Sequence, residues 1–230
     1  MIANCFRREP ANVIGFDIAP GGIRLRAEPV LRINGYSRIE RVPEGVNEAA
    51  KRMTARAQAV IQPALSYRLL YIEHLHGSAL TLEGGAVLES KEFASALAGC
   101  YAVVVAILGI GGRFDNEAKA LSASRNALDL LLFETAGWLA IEEITKAFVV
   151  QLRDWANHQG YRLTRRLAPG YNQWPLIGQR SLFSLFEGIP LPVRLLESCA
   201  MVPTMSRSAM YGLRRNPGTA PGYSASGKHQ

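Results

Sequence analysis

The ten residues Arg166-Leu-Ala-Pro-Gly-Tyr-Asn-Gln-Trp-Pro175 gather groups able to hold a small molecule. Arg166 offers a forked, charge-assisted donor for a carboxylate. Tyr171 and Trp174 offer flat aromatic faces. Pro169 and Pro175 fix φ near about −65° and donate no hydrogen bond. Gly170 can take the positive φ that side chains resist. The stretch reads as a stiff loop that turns backbone N–H and C=O groups outward. It suits a ligand with an aromatic ring at one end and a carboxylate at the other. The same composition also fits a plain turn joining two helices.

Other chemistries find less support. Gly109-Ile-Gly-Gly112 follows an apolar run and precedes a helical pattern, as a phosphate-binding turn does. The third glycine of G-x-G-x-x-G should then fall at position 114, which is Phe114, so the fingerprint fails and a tight strand-to-helix turn is expected. Cys5, Cys100 and Cys199 are widely spaced, without a C-x-x-C pair, which argues against a disulfide framework or a metal cluster. His74 and His76 alternate as on one face of a strand, but no spacing rule supplies a third ligand. There is no Ser/His/Asp or Cys/His arrangement for nucleophilic catalysis.

A second block lies downstream: Leu196-Glu-Ser-Cys-Ala-Met-Val-Pro203, then Ser206, Ser208 and Gly212. Thr164 precedes the loop, and Gln179 and Leu182-Phe183 follow it. The pattern Arg-x-x-x-Gly-Tyr-x-x-x-Pro, met by Arg166, Gly170, Tyr171 and Pro175, resembles the S-adenosylmethionine-binding signature of the activation domain of cobalamin-dependent methionine synthase. The second block is similar to the glutamate-serine, methionine-proline and serine-x-serine run of that family. The resemblance spans roughly residues 31–212 and is strongest over 164–212.

What the resemblance implies is specific. Arg166 would grip the carboxylate of the methionine moiety. Backbone groups of Ala168, Pro169, Gly170 and Tyr171 would meet the adenosine and the amino acid, with Pro175 closing the loop. The family's glutamate on the long helix falls at Glu142 when aligned on Gly137, with Glu143 beside it. Glu142 would recognise the amino group or ribose, and Glu197 and Ser198 would orient the loop from behind. The implied cofactors are S-adenosylmethionine and a cobalamin carried by a partner protein. The implied partners are a corrinoid protein or methyltransferase and a flavodoxin- or ferredoxin-like electron donor. Methyl transfer from a sulfonium leaves a neutral thioether, so the protein must position reactants rather than move protons. Thr204-Met205, Arg207 and Leu196 depart from the family pattern, which keeps open a second reading: a docking module for a corrinoid protein that no longer uses S-adenosylmethionine. A nucleotide-dependent oxidoreductase, suggested by Gly109–Gly112, is the third.

The chain of 230 residues carries a net charge of +7, and 48% of its residues are hydrophobic. That length fits one domain with extensions. The charge suits an acidic protein partner; no zinc, helix-turn-helix or RNP pattern points to nucleic acid. The apolar run Tyr101–Leu108 is too short to span a bilayer, so no membrane role is expected. The first residues do not read as a secretory signal, which makes the expected location cytoplasmic.

The elements that must position the loop follow from periodicity. A helix is expected between Pro43 and Pro63, strands over Tyr67–Leu75, Ala79–Leu82 and Ala86–Leu88, and a helix over Lys91–Ala98 capped by Ser90. Tyr101–Leu108 should be a buried strand. Helical character runs from Asp115 nearly to Gly160 with a break around Ser122–Asn126. A short helix over Leu176–Phe186 and a strand over Val193–Leu196 should follow. The expected fold, as in the resembled family, is α/β of the α+β type: one domain with a twisted, largely antiparallel sheet and long helices on one side. The expected divisions are an extension over 1–30, the activation-domain-like region over 31–215 and a disordered tail over 216–230.

Overall fold

A computed structural model describes residues 22–217 of the chain. Its first helix, α1 (Ala27–Ile33), ends in a Schellman turn: Tyr36 N–H bonds Leu31 O at 3.1 Å and Gly35 N–H bonds Arg32 O at 3.1 Å. Gly35 takes the left-handed conformation this turn needs, with φ of 91°. The helix straddles residue 30 and buries Ile23, Val30 and Leu31 nearby. The remainder of the N-terminal extension, and the tail from 218, lie outside the described residues.

Helix α2 (Glu44–Val60) fills the span between the two prolines and buries Ala49, Ala50, Met53 and Ala57 along one stripe. Strands β1 (Ala64–His76), β2 (Ala79–Leu82) and β3 (Val87–Glu89) form a meander, followed by the four-residue helix α3 (Phe93–Ala96). That helix is shorter than the expected 91–98, because Gly99, with φ of 70°, ends the turn before the next strand. Strand β4 (Cys100–Gly109) is buried on both faces. Helices α4 (Gly112–Ala123) and α5 (Ala127–His158) follow, split at Asn126, whose side chain accepts from Asp129 N–H at 3.1 Å. Strand β5 (Tyr161–Leu163), helix α6 (Gly178–Ser184), the hairpin β6 (Arg194–Leu195) and β7 (Met201–Val202), and strand β8 (Ser206–Arg215) complete the chain.

The six-stranded sheet runs β3-β2-β1-β4-β8-β5, and each neighbouring pair is antiparallel. Side chains of β4 alternate between two cores. Ala102, Val104, Ala106 and Leu108 meet the helix layer, against Phe133, Ile144, Phe148 and Leu152 of α5. Val103, Val105 and Ile107 meet the opposite layer, against Leu167, Trp174, Leu182 and Phe186. The long helices thus cover one side, as expected. The other side is covered by the 166–175 loop, α3 and α6.

Three strands were not among the expected elements: the two-residue β7, β5 and β8. β5 is a three-residue edge strand, and β8 lies between it and β4. β8 therefore holds the end of the second motif, Ser206–Gly212, between two strands of the sheet, with Gly109 opposite Ser206 and Val104 opposite Tyr211.

A candidate ligand site at the sheet edge

The chain leaves β5 and remains attached to β8 by one further bridge, Leu167 to Met210, with both backbone bonds formed at 2.8 and 2.9 Å. Strand alternation then sends Leu167 into the core opposite the long helices and Arg166 toward α5. The loop crosses the edge of the sheet, with its body on one face and its arginine on the other. Thr164 fixes the crossing: its hydroxyl accepts from Gly212 N–H at 2.9 Å, and its own N–H donates to Gly212 O at 2.9 Å. A Cβ at Gly212 would come within 3 Å of Cys100, Leu97 and Thr164, so only glycine fits.

The loop itself is closed rather than open. Gly170 N–H bonds Trp174 O at 2.8 Å, Tyr171 N–H bonds Ala168 O at 3.2 Å, and Trp174 N–H bonds Tyr171 O at 3.1 Å. These backbone groups, expected to face outward, serve the loop. Gly170 does adopt positive φ, at 87°. Trp174, expected as a free aromatic face, is 1% exposed and packs edge-on against Phe93 with ring centroids 4.8 Å apart. It anchors the loop because a large apolar ring gains more from burial than from display. Ala168 and Pro169 are buried with it, while Gly170, Tyr171 and Pro175 are exposed. Three residues before α3 and within it brace the loop. The Ser90 hydroxyl donates to Gln173 O at 3.1 Å, Glu92 pairs with Arg165 at 2.6 Å, and Phe93 meets Trp174.

On the helix side five side chains converge. The Arg166 guanidinium carbon lies 4.8 Å from the centroid of the Tyr171 ring, a cation–π arrangement. Glu142 faces the same space from α5; its neighbour Glu143 is exposed and tied to Lys146 at 2.7 Å. Arg207, from β8, donates to Glu142 Oε1 at 2.5 Å and to the Thr145 hydroxyl at 3.3 Å. Tyr211, two positions further along the same face of β8, is 3% exposed. The hydrogen bond from Arg207 holds the Glu142 carboxyl below its ordinary value, with the charges of Arg207, Arg166 and Lys146 adding to it against a smaller effect of burial. Burial pushes the Tyr211 phenol up to about 12, so it is a neutral donor at ordinary pH.

Arg166 Nη1 and the Tyr211 hydroxyl are both buried and both without a hydrogen-bond partner. Buried donors are nearly always paired, and an unpaired one costs about 1–3 kcal/mol. The two sit on adjacent positions of one sheet face, through the Leu167–Met210 bridge. Together they form a buried pair of groups able to donate to one acceptor.

The structure brings Arg166, Tyr171 and Glu142 together. It places Glu197 and Ser198 elsewhere, exposed at the tip of the β6–β7 hairpin. There Arg180 of α6 donates to Glu197 O at 2.9 Å, and Ser198 Oγ accepts from Ala200 N–H at 3.4 Å. The first contact braces α6, and the second stays within the hairpin. Arg207, Tyr211, Ser90 and Glu92 were not among the expected site residues. The first two share a period of two along Ser206–Gly212, a signal the sequence did contain. Gly109 packs beneath the start of β8, where a Cβ would stand 3.1 Å from Val193 and 3.2 Å from Ser206. His74 and His76 stack at 5.9 Å. Among the described residues no group of three or more His, Cys, Asp or Glu side chains could hold a metal ion. No described helix is long and apolar enough to cross a membrane.

No protein-family model matches the chain, and no curated protein does. Its fold is similar to a crystal structure of the MetH reactivation domain bound to AdoHcy. The TM-score is 0.53 and the identity 18%, over 81% of this chain and 71% of that one. At this identity the likeness is one of fold.

Proposed function

We propose that the sheet-edge site binds a ligand of the S-adenosylmethionine type. On this reading the protein is an accessory component of a cobalamin-dependent methyltransferase system of the methionine synthase type. The observation that carries the proposal is the pair of orphaned buried donors, Arg166 Nη1 and the Tyr211 hydroxyl, beside an exposed Tyr171 ring. An amino-acid carboxylate meets the two donors, and an adenine or ribose lies along Tyr171. The fold shared with a domain solved in complex with AdoHcy supports this choice of ligand class. When bound, S-adenosylmethionine supplies an activated methyl group. The chain's own residues hold and orient it: Arg166 and Tyr211 fix one end, and the braced loop limits movement of the other.

The methyl acceptor on this reading is a reduced corrinoid on a partner protein, with a flavodoxin- or ferredoxin-like donor supplying the electron. The partner would cover the exposed apolar edge beside the loop, where Tyr171, Leu176 and Ile177 are 56, 49 and 58% exposed. Isothermal titration calorimetry with S-adenosylmethionine and S-adenosylhomocysteine tests the ligand claim. Heat that disappears in R166A and weakens in Y211F is the expected result. No heat from the folded wild-type protein would overturn it.

One observation favours a second reading, that of a corrinoid-protein docking module without ligand use. Arg207 already occupies Glu142. On that reading, capture of a corrinoid protein persists in an Arg166→Ala, Tyr171→Ala variant.

A further inference from the structure

At the sheet-edge site the groups already satisfied and the groups left over differ in kind. Glu142 is the carboxylate that faces Arg166, and it is engaged by Arg207 at 2.5 Å. The pair is largely covered, with side-chain exposures of 14% for Arg207 and 26% for Glu142. Thr145 Oγ1 accepts a second Arg207 bond at 3.3 Å, and Glu143 is tied to Lys146. What remains unpaired is Arg166 Nη1 and the Tyr211 hydroxyl, both donors.

A ligand entering here must therefore bring acceptors. An ammonium group would have to take Glu142 from Arg207. That exchange would break a partly buried, charge-assisted bond. It would also leave the Arg207 guanidinium uncompensated beside Arg166, which is the costly outcome for a covered ion pair. A carboxylate faces no such competition, because it satisfies two donors that have no partner.

We propose that Arg207 sets the specificity of this site: by holding Glu142 it leaves Arg166 and Tyr211 to read the carboxylate of an adenosyl thioether or sulfonium, and the α-amino group goes unread. Arg207 acts as an internal substitute for the ligand's ammonium at Glu142. The ligand class extends to adenosyl thioethers with a plain carboxylic acid end. This rests on the S-adenosylmethionine-type reading above, and narrows it.

The test compares three probes by calorimetry on the full chain: S-adenosylhomocysteine, its analogue with the α-amino group replaced by hydrogen, and 5′-methylthioadenosine. The wild-type protein is expected to bind the first two within about threefold of each other. It should bind methylthioadenosine at least about tenfold more weakly, because the carboxylate is lost. In R207Q, Glu142 is released, and the amino-bearing probe should gain at least about tenfold over the des-amino one. A wild-type protein that already loses tenfold or more on removal of the amino group overturns the proposal. So does an R207Q variant that binds with unchanged selectivity. If R207Q does not fold, the wild-type comparison decides alone. Binding of none of the three probes refutes the ligand reading itself, and this inference with it.

Discussion

Arg207 Nη2 lies 2.5 Å from Glu142 Oε1, which joins the start of β8 to the middle of α5 across the helix face of the sheet. The bond ties together two segments 65 residues apart in sequence. It also defines the electrostatics of the site, because it consumes the carboxylate and leaves Arg166 Nη1 without a hydrogen-bond partner.

The linkage has a sign. Glu142 is held below its ordinary value by Arg207, so its contribution to stability is present above the unfolded carboxylate range. It is lost as pH falls through the lower, folded value. E142Q should be less stable than wild type at about pH 7, and the difference should shrink toward about pH 3. Urea unfolding of both proteins across that range measures it; a difference that grows on acidification would show the assignment to be wrong.

Arg166 Nη1 is buried without a partner in the free protein, an arrangement the proposed ligand would relieve. R166M removes an unpaired buried guanidinium atom and keeps much of the stem's volume. Its stability should be unchanged or raised by up to about 1 kcal/mol, while binding falls at least about tenfold. Thermal melting and calorimetry on the same sample give both numbers. A clear drop in melting temperature would mean that Arg166 has a structural role beyond its contact with the Tyr171 ring.

The two aromatics of the loop should separate cleanly. W174A opens a void beside Phe93 and should cost about 3–5 kcal/mol. Y171A, at an exposed position, should stay within about 0.5 kcal/mol of wild type and affect only binding. Denaturant midpoints for the two variants check the contrast.

Gly212 offers a test of the crossing point. In G212A the new methyl would meet Cys100, Leu97 and Thr164 below 3 Å, an overpacking cost of about 1–3 kcal/mol. Because Thr164 bonds the same residue, the variant should also weaken ligand binding, measurable by calorimetry at a temperature where it remains folded.

Strong local periodicity was legible in the sequence. α2, α5 and β4 carry stripes or runs that have one reading, and the Gly170 turn was visible in its residue types. β8 was not. Ser206-Arg-Ser-Ala-Met-Tyr-Gly-Leu-Arg-Arg mixes polar residues and a glycine, and its strand character comes from pairing with β4, distant in the chain. Within the site, the positions Arg166, Tyr171 and Glu142 came from motif and alignment. Trp174 was misjudged because an aromatic in a proline-rich loop looks the same whether displayed or buried. Ser90 and Glu92 brace the loop from 83 and 73 residues away, a relationship with no local signal. The role of Arg207 needed the register of β8 to be known.

The sheet order carries a consequence for biosynthesis. β4 and β5 share no backbone pairing; each is paired with β8. A ribosome makes β8 last of the three, so until its residues emerge both strands have an unpaired edge. Arg166, Tyr211 and Arg207 are brought together only by that final insertion. The nascent protein therefore has no partial version of this cluster: a ligand of the proposed kind would meet the finished fold and nothing earlier.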